Sequence, residues 1–193
     1  MTTPIDCTLN SDEELVTLAL QNSDWFFCLA KRYEEKLARY IARISGGHKE
    51  DVEDTLQDVF VKTYQNLNSF DTRLKFSSWI YRIAHNESIS AMRKRSVRPV
   101  VHLEDEDMQK FAGTLDIEKD INNIFDREII NSILALMDQK YAEVLTLRYL
   151  EEKDYIEIAD ILQKPISTVG NLISRGKKLF KVEYENITNE KHG

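Results

Sequence analysis

The stretch PISTVGNLISRGKKLF, Pro165 to Phe180, places Ser167, Thr168, Asn171, Ser174, Arg175 and Lys178 at offsets that recur every three or four residues. On a helix with 3.6 residues per turn, such side chains share a face. Small polar groups come first along the chain and cations follow. That order suits non-covalent reading of a duplex nucleic acid, in which the first turns approach base edges while Arg and Lys hold phosphates. From Ile161 to Val182 there is no acidic residue and there are five basic ones, Lys164, Arg175, Lys177, Lys178 and Lys181, although the whole chain has a formal net charge of -7. A merely solvated face in so acidic a protein would have collected carboxylates, whereas a face that meets phosphates excludes them.

Covalent chemistry finds no comparable support. There is no GxxxxGK loop, GxSxG elbow or HExxH pair. Cys7 and Cys28 form no CxxC pair, and His48, His85, His102 and His192 lack ligand spacing, so neither a metal site nor a disulfide framework is expected. The abundant carboxylates read as solvated faces, and no cofactor or catalytic residue is expected. No apolar run reaches the length of a membrane span, and the start MTTPIDCTLNSDEELV lacks a signal-peptide pattern, so a cytoplasmic protein without membrane insertion is expected.

The elements that position the basic face are helical. Few glycines and three prolines among 193 residues leave little room for β-turns, and an all-α chain follows. Ser11 or Asp12 caps a first helix with Leu15, Leu18 and Ala19 on one side. A second runs from about Asp24 to Gly46-Gly47. A third starts near Glu50 and carries Val52, Leu56, Val59, Phe60 and Tyr64 at helical spacing. Ser77 or Ser78 caps a fourth, with Trp79, Ile80, Ile83 and Ala84 inward, which ends in MRKRSVR before Pro99.

Residues 1–96 therefore read as one small helical domain. Between Leu103 and Asp126 there are eight acidic residues against Lys110 and Lys119, and 97–125 reads as an acidic linker. Residues 126–193 read as a second helical domain with a short tail. Within it DYIEIADILQ, with Tyr155, Ile158, Ala159 and Leu162 inward, precedes a tight Lys164-Pro165 connection and the basic helix, whose inward side is Val169, Ile173, Gly176 and Phe180. The pair reads as a helix-turn-helix. Gly170 inside the basic helix has no assigned reason, since glycine costs about 1 kcal/mol there relative to alanine.

Asp51 to Arg95, DVEDTLQDVFVKTYQNLNSFDTRLKFSSWIYRIAHNESISAMRKR, resembles the second conserved region of bacterial RNA polymerase sigma factors. Met137 to Leu179, MDQKYAEVLTLRYLEEKDYIEIADILQKPISTVGNLISRGKKL, resembles the fourth. With a short linker between them, the order is similar to the extracytoplasmic-function (ECF) class. The resemblance implies a transcription initiation factor that binds core RNA polymerase, recognises two promoter boxes and helps melt the downstream one, with an anti-sigma factor as a further partner and a monomer when free. It assigns Glu53, Asp54, Gln57 and Asp58 to polymerase binding. It assigns Arg73, Lys75, Arg82, Arg93, Lys94 and Arg95 to the melted minus-ten strand, with Phe76 as the exposed aromatic for an extruded base and Trp79 in the core. The upstream minus-thirty-five duplex falls to Ser167, Thr168, Asn171, Ser174, Arg175 and Lys178. The acidic arm from Leu103 would run through basic channels of the polymerase.

Two departures bear on this. The family's TVKSRLxRAR appears as TVGNLISRGK, without cations at Gly170 and Leu172, and Ser90 stands where aspartate is common. They imply looser upstream reading. The competing readings are a stand-alone helix-turn-helix regulator and a sigma-like adaptor that holds polymerase without reading promoters.

Overall fold

A computed structural model describes residues 7–45, 48–95 and 124–190. Ser11 ends the N-terminal arm and opens α1 (Asp12–Gln21), its hydroxyl accepting from the Glu14 N–H while the Glu14 carboxylate accepts from the Ser11 N–H. This reciprocal cap satisfies two backbone donors that a bare helix start leaves unpaired. A short 3₁₀ turn at Ser23–Trp25 leads into α2 (Phe26–Ser45), so the second helix begins two residues later than its pattern suggests. Gly46-Gly47, the expected stop, lie outside the described residues. α3 (Lys49–Gln65) and α4 (Phe76–Arg95) follow, with a 3₁₀ turn at Leu67–Ser69 and the loop Asp71–Lys75 between them.

The α4 cap corrects the expectation of Ser77 or Ser78. The Phe76 N–H donates to the Glu13 carboxylate at 2.9 Å, so a side chain 63 residues away caps the helix. Ser78 is buried and Ser77 turns to Glu157. A second correction concerns Phe76, which is 0% exposed and packs against Tyr33, Phe70 and Trp79. It is a core residue and offers no ring to solvent.

The expected linker 97–125 lies outside the described residues except for its last two, which belong to α5 (Ile124–Leu136). α6 (Gln139–Leu145) continues into a π-helical turn, Thr146–Leu150. Asp154 and Glu157 form another reciprocal cap at the start of α7 (Tyr155–Leu162), and Gln163 closes it in the left-handed region at φ 52°. α8 (Ile166–Glu190) is the basic helix. Ile158, Ile161 and Leu162 form the inward side of α7, whereas Tyr155, expected inward, is exposed. Every element among the described residues is helical, in two helical units.

The units are not independent. One core runs from α1–α4 through Val144, Leu147, Ile158, Ile161, Leu162, Val169 and Ile173, so α7 packs directly on α4. A smaller cluster joins Ile129, Ile130, Ile133 and Leu134 of α5 to Leu145, Leu150, Phe180 and Tyr184. Each fully buried Leu, Ile or Phe contributes roughly 1.5–3 kcal/mol, so α7 and α8 draw much of their stability from the first unit. The structure also joins Cys7 to Cys28 in a disulfide, which corrects the expectation, drawn from their lack of motif spacing, that they would not pair.

Candidate nucleic-acid interface

The outward face of α8 has the predicted composition. Ser167, Thr168, Asn171, Ser174, Arg175 and Lys178 are all exposed, and Val169, Ile173, Gly176 and Phe180 are buried opposite them. The inward pattern fixes the helix rotation, and that rotation brings the six polar groups to one side. The two glycines differ. A Cβ at Gly176 would meet the Leu145 side chain at 3.3 Å, a tight approach to which Leu145 must yield by a few tenths of an ångström, whereas at Gly170 the nearest atom, on Tyr155, is an ordinary 3.7 Å away. Gly170 is therefore not required by packing.

On α3, Val52, Thr55, Val59 and Thr63 face the core, and Glu53, Asp54, Gln57 and Asp58 face solvent together. Thr55 and Thr63 satisfy their buried hydroxyls on carbonyls one turn back. Sequence reasoning missed the continuation of this face: Val61 is 53% exposed and Tyr64 49%, one and two turns beyond Gln57. The spacing Asp54, Gln57, Val61, Tyr64 held the signal, but Tyr64 looked like a core position. Phe26 contacts the Tyr64 ring edge, and the neighbouring Phe27 is exposed. A polar start with an apolar end suits a protein partner better than a phosphate surface.

The expected minus-ten residues are divided. Arg73 is exposed and held in a bidentate pair by Asp71, whose carboxyl these hydrogen bonds keep down at about 2. Leu74, at 57% exposure, stands between Arg73 and Lys75 in the loop and offers solvent the apolar side chain that Phe76 was expected to offer. Arg93 and Lys94 are exposed, and the Arg95 side chain lies outside the described ones. Lys75 and Arg82 already have anionic partners. Lys75 Nζ lies 3.5 Å from Asp154 and 3.4 Å from Glu157, and Arg82 donates to Asp160 at 2.9 Å. The Glu157 charge foremost holds the Lys75 ammonium above its usual range. All three carboxylates come from α7 and its cap.

Deeper in the same seam, Arg43 donates to Glu151 at 2.5 Å, and the Tyr81 hydroxyl donates to the other Glu151 oxygen at 2.7 Å. The side chains of Arg43 and Glu151 are 2% and 6% exposed. Burial, then the Glu151 charge, pushes the Tyr81 hydroxyl well up, so it remains a donor. The Lys153 ammonium sits 4.2 Å over the Tyr81 ring, and burial lowers it. Tyr40 faces the His85 Nδ1 at 3.1 Å, and burial, helped by the Lys164 charge, holds that imidazole at about 4. No group of His, Cys, Asp or Glu among the described residues is arranged to hold a metal.

Comparison with known proteins adds the family. Residues 29–98 match sigma-70 region 2 and residues 127–180 match sigma-70, region 4. The ECF RNA polymerase sigma factor SigW of Bacillus subtilis is 31% identical over 176 residues, which cover 86% of this chain and 92% of SigW. The ECF RNA polymerase sigma-E factor of Escherichia coli K12 is 30% identical over 161 residues, covering 79% and 83%. Among solved structures, CnrH in complex with the cytosolic domain of CnrY superposes with a TM-score of 0.67 at 24% identity, over 90% of this chain and 96% of that one. The sigma factor RpoE in complex with the anti-sigma factor NepR from Bartonella quintana gives 0.59 at 20%, over 81% and 96%. These two likenesses establish the fold alone. The ordered pair of region matches and the near full-length relatives place this chain in the ECF sigma factors of RNA polymerase.

Proposed function

We propose that α3 docks the chain on core RNA polymerase, that the Asp71–Lys75 loop and α4 hold the melted minus-ten strand, and that α8 reads the upstream duplex. A sigma factor directs polymerase to promoters and is not an enzyme, so binding energy does the work. The observation that carries the assignment is the α8 face, where six polar or cationic groups lie exposed above four buried positions in an acidic chain. Arg175 and Lys178 neutralise phosphates, and Ser167, Thr168 and Asn171 approach base edges from the first turns. Leu74, flanked by Arg73 and Lys75, takes the place of Phe76 as the apolar contact for an unstacked base. Trapped bases offset an unstacking cost of a few kcal/mol.

Lys75 and Arg82 reach DNA only after exchanging α7 carboxylates for phosphates, so α4 and α7 separate when the factor is used. Polymerase drives that exchange by holding both units on one scaffold, an effective-concentration gain. The two solved neighbours are complexes with CnrY and NepR, and an inhibitory protein that favours the closed seam is proposed for this chain on that likeness. Dyes at exposed Lys31 and Lys181 test the reading. Energy transfer falls on addition of core polymerase, and Gln57→Ala with Tyr64→Ala weakens that response at least about tenfold in polymerase concentration. An unchanged response in the double variant would remove α3 from the docking surface.

A further inference from the structure

We propose that Cys7 and Cys28 are a reversible dithiol–disulfide site, closed by a hydroperoxide, that clamps the N-terminal arm onto α2 and steadies the promoter-strand loop. The inference rests in part on the polymerase reading, because that reading places the chain where cellular thiols are kept reduced. A disulfide in that compartment is commonly catalytic or redox-sensing. The two cysteines are bonded with Cα atoms 5.2 Å apart and 21 residues of separation, and no other cysteine exists to compete.

The surroundings fit a switch better than a staple on which the fold depends. Arg32, one turn beyond Cys28 on α2, donates to the Cys7 carbonyl at 2.6 Å, to the Asn10 carbonyl at 3.0 Å and to Asp12 at 2.6 Å. The arm therefore keeps a non-covalent clasp when the bond opens. α1 also keeps its own cap and buries Leu15, Val16 and Ala19. Reduction loosens the arm without unfolding the domain.

A connected path leads from the bond to the loop. Asp12, held by Arg32, accepts from the Tyr33 hydroxyl with its other oxygen. The next residue, Glu13, caps α4 at Phe76, immediately after the Asp71–Lys75 loop. Whatever steadies α1 thus steadies the first turn of α4.

Cys28 is 1% exposed and Cys7 is the more open of the two, so oxidation starts at Cys7. The Cys7 thiolate attacks the terminal oxygen of the hydroperoxide, the O–O bond breaks, and the alkoxide leaves and takes up a proton. The resulting sulfenic acid is attacked by the Cys28 sulfur after that thiol gives its proton to water. The S–O bond breaks, and hydroxide leaves as water after protonation. Two thiols and one hydroperoxide give one disulfide, one alcohol and one water, with two electrons passing from sulfur to oxygen. A cellular dithiol reverses the change by exchange.

The test uses the full chain, reduced with dithiothreitol and then treated with stoichiometric hydrogen peroxide. Alkylation and mass measurement are expected to show both thiols lost together, and the melting temperature to rise by roughly 5–10 °C on closure. Cys7→Ser is expected to show no peroxide response. With core polymerase, the oxidised chain is expected to initiate at least about 5-fold more than the reduced chain, the low end of an ordinary coupling. Thiols that stay alkylatable after peroxide would overturn the proposal, and so would a closed bond that changes neither melting nor initiation. The thiol and melting measurements do not depend on polymerase, so failure there condemns the switch. Loss of initiation in both redox states condemns the functional reading instead.

Discussion

Glu151 holds the two units together through two donors, Arg43 and Tyr81, and the side chains of the Arg43–Glu151 pair are largely buried. Removing one partner of a buried pair leaves an uncompensated charge, which costs about 3–5 kcal/mol. Glu151→Ala is therefore expected to lower unfolding stability by that order in denaturant titration, while the apolar pair Arg43→Met with Glu151→Leu recovers most of it. Equal losses in both variants would show that packing, not charge, sets the cost. His85 gives a separate handle. Its imidazole is depressed to about 4 in the folded chain, against an ordinary 6.5, so only the unfolded state takes up a proton between those values. Stability contributed by the neutral ring is complete above pH 6.5 and falls as pH drops toward 4, by at most about 1.4 kcal/mol per pH unit. Denaturation from pH 7 to 4.5 is expected to show a shallower decline for His85→Gln than for the natural chain.

At the scale of elements, the rotation of α8 was legible because its buried positions keep a 3.6-residue period. The same holds for the polar start of the α3 face and for the Ser11 cap, which follow local rules. What sequence could not show depends on distance. Glu13 caps a helix that begins 63 residues later, and a local search stops at Ser77. Phe76 sits at the junction of loop and helix, where periodicity is mute and an aromatic reads equally as a probe or as core. Cys7 and Cys28 have no motif spacing, and only the path of the arm across α2 brings them together. For α8, Arg175→Ala and Lys178→Ala are each expected to weaken upstream-box binding for all sequences and to lower the log–log salt slope by about 1. Gly170→Lys adds a cation at a position that packing leaves open, and is expected to raise that slope by a similar amount. Footprinting of the polymerase complex over a salt series checks both.

For the whole molecule, composition and helical periodicity pointed to an all-α chain in two units, and the ordered resemblance implied a role in initiation. The seam between the units was not legible. The acidic residues of α7 looked like an ordinary solvated helix start, and nothing local said that Asp154, Glu157 and Asp160 would meet Lys75 and Arg82 across the domain boundary. On the proposed reading the closed chain therefore unites two features that seemed separate: an acidic protein keeps a clean basic helix, proposed for duplex DNA, and it holds two cations proposed for the melted strand, Lys75 and Arg82, against its own carboxylates. The direct test of this account is transcription in vitro from fragmented genomic DNA with purified core polymerase, with and without the protein, mapping starts by sequencing. The account predicts new starts downstream of a shared pair of boxes, lost with Arg175→Ala and Lys178→Ala together. Specific duplex binding without polymerase, and no new starts with it, would contradict the account.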